Sequence, residues 1–168
     1  MIKIKDITVI AFFTGILFVQ EQLLTFLPNV QLTVFLIVLY SKVFKLWQTL
    51  LIILIHTLLD NIFMSSFSIY YFPFMLLGWS VIPIIINLFF KKNDNPLTLA
   101  FVGMGCSFIY CWMFIIPQVL LTKVNIITYF ISDLFFEVIL ALTSFLTILW
   151  LYKPCAKLLN KLQVNTTE

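Results

Sequence analysis

The chain has 168 residues, 62% of them hydrophobic and only 10% charged, and its 10 basic residues against 7 acids give a net charge of +3. A water-soluble domain of this length lacks the polar groups to coat so much apolar surface, so the composition excludes one and makes lipid the solvent. In hydrocarbon the backbone must satisfy its own hydrogen bonds, which leaves helices or closed barrels, and the long unbroken apolar runs lack a barrel's alternation. The expected fold is an all-α integral membrane protein, a six-transmembrane-helix bundle forming a single domain over residues 1–168.

The first predicted span covers residues 7–27. It carries Glu21 and Gln22 and has no small-residue cleavage site, so it reads as a retained helix and not a signal peptide. Ala11 and Gly15 make a small-x-x-x-small pair that lets another helix approach closely. The second span, residues 31–44, is about 14 residues and roughly 21 Å long, short of the roughly 30 Å hydrocarbon core, and reads as a partial or oblique helix. Residues 46–64 form the third span, with His56 and Asp60 four apart on one face and Asn61 following. The fourth, 70–90, holds Trp79 and Pro83, the proline freeing a backbone carbonyl near mid-depth. Residues 97–121 form the fifth, where Gly103 and Ser107 make a second small pair, and 127–152 the sixth, with Asp133 and Glu137 sharing a face.

Every basic residue is a lysine, and six spans sort the connections onto two sides. Lys3, Lys5, Lys42, Lys45, Lys91, Lys92, Lys153, Lys157 and Lys161 fall on one side and Lys123 alone on the other. The positive-inside rule then puts both termini in the cytoplasm, with the stretches near Asn29, Ser66 and Asn125 outside and those near Lys45 and Asp94 inside. Orientation and anionic lipid headgroups account for the positive charge, so no nucleic-acid partner is expected.

Polar side chains at membrane depth are expensive and mark cavities or partners. Glu21, Asp60, Asp133 and Glu137 all lie in the outer parts of their spans, among Gln20, Gln22, Asn29, Gln31, Asn61 and Gln118. The expected pocket opens outward near the ends of the first, third, fourth and sixth spans and the first loop, with Trp79 either a stacking wall for a flat ligand or an ordinary packing residue. Cys106, Cys111 and Cys155 form no C-x-x-C pair, and no disulfide or metal site is expected. No phosphate-cradling G-x-x-x-x-G-K-[ST] loop occurs, so the chain binds no ATP of its own. One histidine and no arginine leave little for a membrane-embedded enzyme, although Ser107 and His56 are counted as a conceivable pair. An accessory or sensing subunit without transport is the other alternative.

Size, topology, the Ala11 and Gly15 pair, the run Leu27-Pro28-Asn29-Val30-Gln31-Leu32-Thr33 and the closing Leu151-Tyr152-Lys153-Pro154 give a chain that resembles the S components of energy-coupling factor (ECF) vitamin transporters. These are substrate-binding subunits of the bacterial plasma membrane. The resemblance implies that Ala11 and Gly15 face a transmembrane coupling subunit driven by two cytoplasmic ATPases. It also implies that the outward pocket captures a vitamin or cofactor precursor. The residues expected at that ligand are Glu21, Asn29, Gln31, His56, Asp60, Asn61, Trp79, Asp133 and Glu137. Gly15 stands where the family's pattern has alanine.

Overall fold

A computed structural model describes residues 4–63 and 68–165, and no strand occurs among them. Seven helices follow one another: α1 (Ile4–Leu24), α2 (Thr33–Val43), α3 (Leu46–Phe63), α4 (Phe72–Ile85, continued by a π-helical turn Ile86–Phe90), α5 (Pro96–Met113), α6 (Ile115–Thr122) and α7 (Ile126–Asn165). Among the described residues five stretches are long and apolar enough to cross a membrane: Ile4–Leu24, Leu46–Phe63, Phe72–Phe90, Pro96–Thr122 and Ile126–Lys161. Their outer faces are apolar as well. Phe12, Ile131 and Trp150 are each more than 60% exposed, as a multi-pass protein bathed in lipid requires.

The remaining helix explains why its segment is both short and apolar all round. α2 has 11 residues, about 16 Å of helix, and every residue from Thr33 to Ser41 is buried. It is the core of the bundle, in contact with α1, α3, α4, α5 and α7, which pack in the sequence α1, α3, α4, α5, α7 around it. At its C-terminal end Tyr40 and the following Phe44 pack on Phe13, and the Tyr40 hydroxyl donates to the Phe13 carbonyl at 3.3 Å.

Two prolines depart from the predicted spans in opposite ways. Pro117 interrupts the fifth predicted span. Without its N–H the Met113 carbonyl loses its donor, the chain tightens so that Phe114 N–H bonds Cys111 O at 3.0 Å, and α6 begins anew. Pro154, at the expected end of the sixth span, does not stop α7, which runs 40 residues or about 60 Å. Packing of Cys155, Ala156 and Leu159 against the core carries the helix past it. The third predicted span closes at Phe63 among the described residues; its expected end at Met64, and the Ser66 loop, lie outside them.

The two small-residue pairs differ in direction. A Cβ on Gly103 would sit 2.2 Å from Ile148 Cδ1, and Ser107 Oγ donates to Ser144 Oγ at 2.9 Å, so this pair seats α5 against α7 inside the bundle. A Cβ on Gly15 would meet nothing within 4 Å, and Ala11 is exposed, so the α1 pair faces away from it.

Candidate functional site

The α1–α2 connection is tied down before it can form a wall. Asn29 takes a left-handed backbone (φ 56°), a conformation asparagine tolerates better than most residues, and its Nδ2 donates to Phe136 O of α7 at 3.0 Å. Gln20 braces the other end, accepting from Leu32 N–H at 2.9 Å and donating to Thr33 Oγ1 at 2.8 Å. The Thr33 hydroxyl lies 3.3 Å from Glu21 Oε2 and 3.2 Å from Gln31 Oε1. These bonds fix Glu21 and Gln31 on one side of a cavity of about 370 Å³.

Asp60 of α3, Met75 of α4, Tyr110 of α5 and Phe114 complete the wall. Behind Glu21, the wholly buried His56 places Nε2 at 3.0 Å from Glu21 Oε2. Asp60 is only 4% exposed, and its Oδ1 has no hydrogen-bond partner among the described residues. Buried polar groups are nearly always paired, so an unpaired carboxylate oxygen on a cavity wall marks a place for a donor from a ligand or water. Two carboxylates and one imidazole leave an excess of negative charge when all are ionised.

Four of the expected residues, Glu21, Asn29, Gln31 and Asp60, therefore line one cavity, with His56 directly behind it. Asn61 turns back on its own helix, donating to Thr57 O at 3.0 Å and lying 3.2 Å from Met75 Sδ. Trp79 is fully buried and off the wall, stacked on Tyr110 with ring centroids 3.6 Å apart. Tyr110 and Phe114 form the aromatic wall in its place. Asp133 and Glu137 share a face of α7 but do not line the cavity; Glu137 accepts from Trp112 Nε1 at 3.2 Å. No family model, no curated protein and no solved structure matches this chain. The assignment of the site therefore stands on its geometry.

Sequence reasoning missed Tyr110, Phe114 and Met75, which look like ordinary apolar filling in a chain so rich in aromatics. It also missed Gly78, whose absent Cβ would lie 2.8 Å from Tyr110 Cδ2. Gly78→Ala forces that ring, and with it the cavity wall, to move, at an expected cost of about 1–3 kcal/mol. Gly105→Ala, where a Cβ meets nothing within 4 Å, leaves stability unchanged. Thermal unfolding of the two variants in detergent checks the contrast.

The cavity's volume suits a small organic molecule, and its lining combines an aromatic face with a few polar groups, the usual composition of a ligand site. Its carboxylates and amide oxygens accept hydrogen bonds, which favours ligands carrying amine, amidine or hydroxyl donors.

Proposed function

We propose that this chain is the substrate-binding S component of an ECF-type transporter in a bacterial plasma membrane. It captures a vitamin or cofactor precursor from outside and itself catalyses no reaction. In this reading six segments count across the membrane, with α2 the short central one, and both termini are cytoplasmic. The observation that carries the reading is the partly open cavity at one end of an apolar bundle, where carboxylates and amides stand among apolar side chains and Asp60 Oδ1 has no partner among the described residues. The outward-facing Ala11 and Gly15 pair supports it, since shallow apolar grooves flank these residues on both sides of α1. A coupling subunit docks there, and two partner ATPases supply the energy.

Mass spectrometry of small molecules released from the purified protein tests the proposal. A stoichiometric heterocyclic or hydroxylated compound is the expected result; an empty cavity in protein taken from cells that import such compounds counts against it. Orientation has its own measurement. Cysteines introduced near Asn29 and Asn125 are expected to react with a membrane-impermeant maleimide added to intact cells, and those near Lys45 and Asp94 only after lysis. The reverse pattern overturns the assignment of sides.

A further inference from the structure

The other end of the bundle holds a second and larger cavity, about 960 Å³, between the end of α2, the turn after α4 and the final turns of α7. Lys42, Lys91, Lys153, Lys157 and Lys161 line it, against one carboxylate among the described residues, Asp94. That carboxylate is already engaged. Lys42 Nζ lies 2.9 Å from Asp94 Oδ1 and 3.0, 2.7 and 2.9 Å from the carbonyl oxygens of Phe90, Lys91 and Asn93, four acceptors that share its three N–H groups. Tyr152 donates to the same Asp94 oxygen at 3.0 Å. The hydrogen bond from Lys42 holds the Asp94 carboxyl below its ordinary pKa, so it stays ionised and committed to this pair.

Four lysines then remain without a counter-charge among the described residues. Lys91 Nζ donates only to carbonyls, Ser41 O at 2.7 Å and Phe44 O at 3.4 Å, and burial together with neighbouring Lys42 lowers its pKa. Lys153, Lys157 and Lys161 recur every fourth residue on α7, where like charges repel one another. An arrangement that sets these cations around one concavity is stabilised by an anion inside it.

We propose that this cavity binds the phosphate of an anionic phospholipid headgroup. The cavity begins where the apolar run of α7 ends, at Tyr152 and Lys153, which is the depth of a headgroup. Its volume far exceeds a bare phosphate, and Val43, Tyr152 and Ala156 give it an apolar side on which a glycerol and the first acyl carbons rest. Pro154 is crossed without a break, and this continuation of α7 holds Lys157 and Lys161 over the cavity.

The experiment uses the full chain in detergent, titrated with phosphatidylglycerol, phosphatidylcholine or inorganic phosphate and read by native mass spectrometry and thermal unfolding. Phosphatidylglycerol alone is expected to bind and to raise the melting temperature. Lys153→Gln/Lys157→Gln/Lys161→Gln is expected to weaken that binding roughly 100-fold, at about fivefold per lysine. If the triple variant does not fold, Lys157→Gln and Lys157→Arg replace it, with loss in the first and retention in the second. Equal binding of phosphatidylcholine, an equal shift with inorganic phosphate, or undiminished phosphatidylglycerol binding by the glutamine variants overturns the proposal. So does lipid indifference combined with loss of a co-purifying protein in the variants, which assigns the lysines to an acidic protein partner.

Discussion

Asp60→Asn lowers the affinity for a cationic ligand by roughly five- to hundred-fold, about 1–3 kcal/mol, the cost of one charge-assisted hydrogen bond. The substitution keeps the side chain's shape. It also removes one of two carboxylates lining the same cavity, Glu21 being the other, and with it their mutual repulsion. A neutral ligand that uses Asp60 as an acceptor loses less. Glu137→Gln, off the cavity wall with its carboxylate accepting from Trp112, leaves affinity within roughly twofold. Titration calorimetry of both variants with the ligand identified from the protein decides between the two acids. Loss of binding in Glu137→Gln with full binding in Asp60→Asn moves the site to α7 and refutes the cavity.

Ala11→Leu combined with Gly15→Leu is expected to abolish assembly with the coupling subunit of the proposed transporter while the isolated protein still binds its ligand. Two leucines fill the shallow grooves beside α1 and prevent a partner helix from approaching, a loss of roughly 10- to 100-fold in co-purification. The bundle itself tolerates them because nothing lies within 4 Å of the Gly15 Cβ position. Gly103→Leu supplies the opposite case. Its Cβ already collides with Ile148, so this variant loses fold and ligand binding together. A double α1 variant that assembles and transports normally removes α1 from the interface.

The helices were legible because hydrocarbon imposes one rule, an apolar run with satisfied backbone, on every spanning segment. α3 begins at Leu46, and α4 with its π-helical turn covers Phe72–Phe90. Pro117 and Pro154 were not legible, since whether a proline breaks a helix depends on what packs around it, and only the α7 proline has Cys155, Ala156 and Leu159 to hold the next turn. At the site, polarity at depth located Glu21, Asp60 and His56, but not that Glu21 and His56 pair across two helices. The four-residue spacing of Asp133 and Glu137 gave them a common face without saying where it points. Tyr110 carries no signal at all in a chain with 19 phenylalanines and 6 tyrosines.

The brevity of α2 has an electrical consequence. One cavity lies at its Gln31 end and the other at its Lys42 end. With water in both, the insulating layer between the two solutions thins from roughly 30 Å of hydrocarbon to the roughly 16 Å length of that single helix. A voltage across the membrane then falls mostly along α2, and a ligand in the Asp60 cavity sits near the start of the drop. Carrying one positive charge through that waist is worth about 2.3 kcal/mol per 100 mV, so in the proposed transporter, with the orientation proposed above, an inside-negative potential is expected to assist the inward release of a cationic ligand and to leave a neutral one unaffected.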